Sequence, residues 1–154
     1  MILPGDRARR CGGTASVGCV KLDLLTPGIE VGLVTTDLPA MVAFYEGFLE
    51  LECQGDLEFE GGSQRRYTLG TSVLKLVTYT DPPAAPVAPG GGRAQAGLRY
   101  FTIGVNGLRG VAEAFAASDH PIVEPLTEFA PVPGMGFMFV ADPDGNHIEL
   151  FGTL

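Results

Sequence analysis

Apolar and polar residues alternate along two stretches of the chain that resemble each other and lie about 70 residues apart. The first stretch covers residues 28–38 and the second covers residues 98–108. In each, an alternating run is followed by a turn and a helix start, and such alternation is typical of a half-buried β-strand. The repetition predicts two modules that contain the same elements in the same order.

Apolar residues at helical spacing follow each alternating run. The first helix is expected over about residues 38–50, with Asp37 as its N-cap and Pro39 in its first turn. Its apolar stripe consists of Met41, Phe44, Tyr45 and Phe48. The second helix is expected over about residues 107–118, with an inner side formed by Leu108, Val111 and Phe115.

Three further strands are predicted in each module, near residues 57–59, 66–69 and 73–79 in the first and near 122–124, 137–141 and 147–151 in the second. The fold class is therefore α+β, with two β-α-β-β-β modules. One module alone has too small a core, so the two are expected to pack together. We divide the chain into a flexible leader (1–20), a first module (28–80), a Pro/Gly linker (81–97) and a second module (98–152), with 28–152 as one domain.

The composition excludes several classes of function. The 154 residues carry 18 acidic and 10 basic side chains, a formal net charge of −8, and this charge repels nucleic-acid phosphates. No apolar run is long enough for a transmembrane helix, so neither nucleic acid nor a membrane is an expected partner. The three cysteines form no C-x-x-C pair, which favours a reducing, cytoplasmic location. The two histidines cannot supply a three-histidine metal site.

Strand parity separates the side chains that face the helices from those on the opposite side of each sheet. The helix-facing set is apolar: Val31, Leu33, Leu74, Leu76, Phe101, Ile103, Ile148 and Leu150. The opposite faces carry Glu30, Lys75, Tyr79, Tyr100, Thr102, His147 and Glu149. If the sheets curve together, these groups meet in a small-molecule cleft with apolar walls formed by Val34, Phe137, Phe139 and Phe151. One of the neighbours Arg65 and Arg66 also faces the cleft, and Arg66 is the candidate for a substrate carboxylate or phosphate.

Three stretches carry a resemblance to a known family: residues 30–38 followed by Phe44-Tyr45, residues 100–108, and Asp142-Pro-Asp-Gly-Asn-His-Ile-Glu-Leu. They resemble the vicinal oxygen chelate superfamily, also called the glyoxalase, bleomycin-resistance and extradiol-dioxygenase superfamily. The resemblance covers about residues 28–152 and is most specific in the last stretch. It implies paired modules that form a cupped, open eight-stranded mixed sheet around one site, with the helices outside.

The resemblance also implies four positions at which relatives usually bind a divalent metal. They map to Glu30, Lys75, Tyr100 and Glu149, and only the last matches the usual ligand. A protonated lysine cannot bind a metal, and tyrosine is a poor ligand for zinc, nickel or magnesium. We therefore predict a metal-independent protein without a cofactor.

Each candidate residue has a structural and a chemical interpretation. Glu30 and Lys75 are either an ion pair that fills the former metal position, or Lys75 acts as a cation, acid or nucleophile. Glu149 is either a hydrogen-bond acceptor or a general base. Tyr100 is either an aromatic wall or a donor to a substrate oxyanion. His147, beside the turn, is expected at the rim.

Three functions remain open. The first is a metal-independent isomerase, lyase or cyclase that acts on a small carbonyl compound, with Glu149 as base and Lys75 and Tyr100 as oxyanion stabilisers. The second is non-catalytic binding of a small molecule, as in drug-sequestering resistance proteins. The third is a metal-dependent enzyme with unusual ligands, and Lys75 makes it the weakest. The resemblance further implies a homodimer.

Overall fold

The computed structural model describes residues 20–154. The predicted leader lies outside the described residues except for Val20. The first module contains β1 (Glu30–Val34), α1 (Leu38–Val42), β2 (Cys53–Phe59), β3 (Gly62–Leu69) and β4 (Ser72–Tyr79). The linker contains a short helix, α2 (Gly91–Ala94). The second module contains β5 (Tyr100–Val105), α3 (Leu108–Ala116), β6 (Ile122–Glu128), β7 (Met135–Ala141) and β8 (His147–Thr153).

The first helix begins as the sequence predicts and changes its winding halfway. The side chain of Asp37 accepts a hydrogen bond from the Ala40 N–H at 3.1 Å, so this residue is the N-cap. After Val42 the helix continues as a π-helical segment, Ala43–Phe48. The α-helical part buries Met41, and the wider π-helical turns still bury Phe44 and Tyr45 and half-bury Phe48, which confirms the apolar stripe.

The eight strands form two four-stranded sheets of the same design. Their orders are β1-β4-β3-β2 and β5-β8-β7-β6. In each sheet the first strand runs parallel to the last, and the other neighbours are antiparallel. The α+β class and the β-α-β-β-β repeat are confirmed, and within the described residues the strands pair as two sheets of four rather than as one continuous ladder.

One hydrophobic core serves both modules. The helix-facing residues predicted from strand parity all belong to it: Leu74, Leu76, Ile148 and Leu150 are buried, and Val31, Leu33, Phe101 and Ile103 pack against them. Phe115 of α3 contacts Phe44 and Phe48 of the first module edge to face, with ring centroids 6.4 and 4.9 Å apart. The modules are therefore joined through their helices, as expected for two units that are each too small to bury a core.

A buried hydrogen bond also links the modules. The Tyr45 hydroxyl donates to Asp142 Oδ2 at 2.8 Å, and the two residues are 0% and 3% exposed. Asp142 holds the turn before β8, because its Oδ1 accepts from the Asp144 and Asn146 N–H groups. Burial raises the pKa of Asp142, and the hydrogen bonds from Asn146 and Tyr45 oppose that rise.

No helix in the described part of the chain is long and apolar enough to cross a membrane.

Candidate functional site

The first sheet carries an ionic cluster on the face that points away from the helices. Lys75 Nζ lies 2.6 Å from Glu30 Oε2, and Arg66 Nη2 lies 2.9 Å from Glu30 Oε1. The hydrogen bonds from Lys75 and then from Arg66 lower the pKa of Glu30 to about 2. One carboxylate is thus held between two cations, which leaves the cluster with a net positive charge.

The strand register decides between the two neighbouring arginines. Arg66 pairs with Lys75 across the β3–β4 ladder and shares its face. Arg65 points to the helix side, where its guanidinium lies 2.7 Å from Glu46 and 2.8 Å from Asp56. Arg66 is therefore the arginine on the candidate site face, and Arg65 ties β3 to the first helix and β2.

The second sheet places an acid at the matching position. Lys75 stands opposite Gly32 in the parallel β1–β4 pair, and Glu149 stands opposite Thr102 in the parallel β5–β8 pair. Thr102 Oγ1 donates to Glu149 Oε2 at 2.5 Å. The repeat therefore presents an ammonium in one module and a carboxylate in the other.

Aromatic rings surround Glu149 on this second face. Phe139 pairs with Glu149 across the β7–β8 ladder, and its ring meets Tyr100 edge to face at 5.1 Å. Phe137 and Phe151 pair on the same ladder, and Phe129 contacts both rings at 6.4 and 5.5 Å. Phe137, Phe139 and Phe151 are half-buried, so they provide an open apolar surface beside the carboxylate.

A cavity of about 630 Å³ lies where the two modules meet the linker, and we call it the junction cavity. Its walls are β1, the linker, the start of β5 and the turn before β8. Of the predicted site residues, Val34, Tyr79, Tyr100 and His147 line it, whereas Glu30, Lys75 and Glu149 do not. The ionic cluster and the Glu149 group are each joined internally, and no hydrogen bond or ion pair among the described residues connects them.

Sequence reasoning missed two contributors to the junction cavity. Arg99 donates from Nε to the Gly91 carbonyl and from Nη2 to the Ala88 and Pro89 carbonyls, at 2.9, 2.9 and 3.3 Å, so it holds the linker in place. Asp144 lines the cavity, and its Oδ2 is buried without a hydrogen-bond partner among the described residues. The Asp-Pro-Asp-Gly motif predicted a turn but gave no sign that this turn lines a cavity.

The four positions at which relatives hold a metal do not form a suitable donor set here. The Lys75 ammonium lies against Glu30, the one carboxylate of the first module at these positions, and a second cation, Arg66, is bound to the same group. A metal ion would have to displace both cations from Glu30 and would then gain only one further carboxylate, Glu149. Within the described residues, no three His, Cys, Asp or Glu side chains are grouped to hold a metal.

The family model for the Glyoxalase/Bleomycin resistance protein/Dioxygenase superfamily matches residues 29–150, which cover both modules except the end of β8. The chain belongs to this superfamily.

Solved structures show the same fold. A glyoxalase family protein from Bacillus cereus is similar with a TM-score of 0.71 and 17% identity, over 89% of this chain and 99% of that one. The trypanothione-dependent glyoxalase I of Leishmania major has a TM-score of 0.59 and 19% identity, over 80% and 84%. The fosfomycin resistance protein FosX from Mesorhizobium loti has a TM-score of 0.54 and 14% identity, over 84% and 91%. A comparison with curated proteins gives no significant match.

Proposed function

We propose that this protein catalyses metal-independent proton transfer on a small organic carbonyl compound, as an isomerase, lyase or cyclase. Glu149 is the general base, and Lys75 and Tyr100 stabilise the oxyanion that develops. The observation that carries the proposal is the Lys75 ammonium, which Glu30 holds at 2.6 Å at a position where relatives place a metal ligand. A fixed cation at that point supplies the charge that a metal would otherwise supply.

The chemistry requires an acid–base pair on opposite modules. Glu149 takes a proton from a carbon next to a carbonyl, and the electron pair moves to the carbonyl oxygen, where Lys75 and Tyr100 stabilise the charge. The proton then returns to another atom of the substrate, or a leaving group departs. Arg66 lies on the same sheet face as Lys75, and its guanidinium suits a carboxylate on the substrate.

Deuterium exchange tests this proposal without a known substrate. The protein is incubated in D₂O with a panel of ketones and 2-oxo acids, and NMR measures the loss of protons next to the carbonyl. Glu149→Gln and Lys75→Met should each reduce the exchange rate by about a hundredfold or more. The matched controls are Glu113→Gln and Lys21→Met, because both residues are exposed and distant in sequence from the site strands. Exchange that survives both site variants refutes the catalytic assignment.

The half-buried aromatic surface supports a second candidate, non-catalytic binding of a planar organic molecule. Tyr100, Phe137, Phe139, Phe151 and Phe129 form a continuous series of edge-to-face contacts that could stack against such a ligand. Binding by equilibrium dialysis that Phe139→Ala abolishes, but that Glu149→Gln and Lys75→Met leave intact, favours this function over catalysis.

Three further expectations depend on the family resemblance and the composition. We expect the chain to form a homodimer and to work in the cytoplasm. We also expect its partner to be a small molecule rather than nucleic acid or a membrane. Sedimentation of the purified protein tests whether it is a dimer.

A further inference from the structure

Within residues 20–154, one edge of β1 has no neighbouring strand, and this edge lies beside the junction cavity. β1 is the outermost strand of its sheet and pairs only with β4 among the described residues. The Val73 N–H donates to the Ile29 carbonyl and the Thr35 N–H to the Val77 carbonyl, so the odd-numbered residues face β4. Because the hydrogen-bonding direction alternates along a strand, Gly32 and Val34 turn their N–H and carbonyl groups away from β4.

These outward groups belong to the wall of the cavity. Four consecutive residues of β1, Val31 to Val34, line it, as expected when a strand presents its edge rather than one face. Gly32 leaves the backbone uncovered, since a Cβ at this position would meet only Val77 Cγ2, at 3.8 Å. The cavity therefore offers a row of backbone donors and acceptors.

The opposite wall is ordered before a ligand arrives. Arg99 holds the linker through three carbonyls, and Gly91 packs directly against the His147 ring, where no side chain would fit. An ordered wall reduces the entropy that a ligand loses on binding. The linker thus encloses the β1 edge from the outside.

The charge of the lining favours a cationic ligand. Asp81 and Asp144 both line the cavity. Arg99 is the single lysine or arginine of the lining, and its Nε and Nη2 already donate to the linker. The lining thus carries two acidic side chains against one guanidinium, and a cationic amino group complements that charge.

We propose that the junction cavity binds a short extended peptide with a free amino group, which pairs with the outer edge of β1 as an added strand. Its backbone bonds the outward groups of Gly32 and Val34, and its amino group reaches the Asp81 and Asp144 side. A peptide of about four residues matches the four residues of β1, Val31 to Val34, that line the cavity, since an extended chain rises about 3.3 Å per residue. The cavity shares Tyr100 with the proposed catalytic group, but neither Lys75 nor Glu149 lines it.

Hydrogen exchange followed by NMR on the full chain tests the proposal. The probes are an equimolar tetrapeptide library with free amino termini and the same library acetylated and without lysine or arginine. The free-amine library should shift the Gly32 and Val34 amide signals and slow their exchange by about tenfold or more, and the acetylated library should have a much smaller effect. The proposal is overturned if neither library changes these amides at millimolar concentration, or if both libraries act equally.

Two variants of one glycine isolate the backbone contact. Gly32→Pro removes the outward N–H, and an edge strand tolerates proline where the N–H faces outward. Gly32→Ala keeps the N–H and fits the available space. Peptide binding should fall at least about tenfold in the proline variant and stay near wild type in the alanine variant. If the proline variant does not fold, the wild-type exchange measurement decides alone.

One outcome assigns the β1 edge to another occupant. If the Gly32 amide is already protected without peptide and the protein sediments as a dimer, a second copy covers the edge and the peptide proposal is wrong. If the cavity is an independent site, Lys75→Met leaves peptide binding unchanged, because Lys75 does not line the cavity. Peptide binding and proton exchange on carbonyl compounds are therefore measured separately, so failure of one proposal can be told apart from failure of the other.

Discussion

The buried Tyr45–Asp142 hydrogen bond provides a direct test of how the two modules are held together. Tyr45→Phe removes only the hydroxyl, and the ring keeps its place among Phe44 and Tyr67. Asp142 Oδ2 then loses the donor at 2.8 Å and keeps only the Asn146 side-chain amide, also at 2.8 Å. The Oδ2 atom of this buried carboxylate is thus left with one donor where it had two, while Oδ1 keeps its two backbone donors.

The expected cost is about 1.5–3 kcal/mol, the range for a hydrogen bond to a charged group. Since Asn146 still donates to the same oxygen, we expect a value in the lower half of that range. For a chain of this length each kcal/mol corresponds to about 2–4 °C in the melting temperature. The variant should therefore melt about 3–9 °C below the wild type.

Urea unfolding at pH 7, monitored by circular dichroism, measures the change in the free energy of unfolding. Calorimetry measures the change in the melting temperature. Tyr79→Phe is the matched control, because Tyr79 is 46% exposed and its hydroxyl makes no hydrogen bond within the described residues. The control should stay within about 0.5 kcal/mol of the wild type. A Tyr45→Phe variant as stable as Tyr79→Phe would refute the claim that this bond joins the modules.

Four further predictions concern ionisation and packing. In Lys75→Met the pKa of Glu30, read by carboxyl ¹³C NMR, should rise from about 2 toward 4.5, because the Lys75 hydrogen bond is the largest cause of its depression; a pKa that stays near 2 would contradict this. Since the folded state lowers the pKa of Glu30, the stability that Glu30 contributes is present above pH 4.5 and is lost as the pH falls toward 2. Acid unfolding of Glu30→Gln should therefore depend less on pH over this range than unfolding of the wild type. Asp142 has the opposite sign: its folded pKa is raised above 3.8, so ionisation costs stability as the pH rises through and beyond that value. Carboxyl NMR should find the midpoint of the Asp142 titration above pH 3.8, and a midpoint at or below that pH would contradict the expectation. Phe115→Ala should destabilise the protein by about 3–5 kcal/mol in urea unfolding, since a fully buried ring at the module contact leaves a cavity, whereas a loss below 1 kcal/mol would show that α3 does not hold the core.

Much of the fold could be predicted because it depends on local periodicity. The alternation around Val31 and Phe101 predicted on which face of the sheet each neighbouring side chain lies, since successive side chains of a strand point to opposite faces. Asp37 marked a helix start because its side chain needs only the next few residues to act as a cap. The π-helical winding after Val42 was not predicted, because the apolar spacing of that segment fits an α-helix equally well.

The site was less predictable because it depends on register and on long-range contacts. The choice between Arg65 and Arg66 required the pairing of β3 with β4, which no local pattern specifies. The Tyr45–Asp142 bond joins residues 97 positions apart. The junction cavity follows from the path of the linker, and Arg99 orders that path through backbone carbonyls that carry no sequence signal.

We propose that the Lys75 ammonium, held by Glu30, takes the place of the metal ion that relatives bind. Mass spectrometry can measure the metal content of the protein, purified without chelator from medium that contains zinc, nickel, manganese and iron. We expect far less than one metal ion per chain, with no change in Glu30→Gln or Glu149→Gln. One ion per chain that disappears in both of these variants would show that Lys75 does not replace the metal.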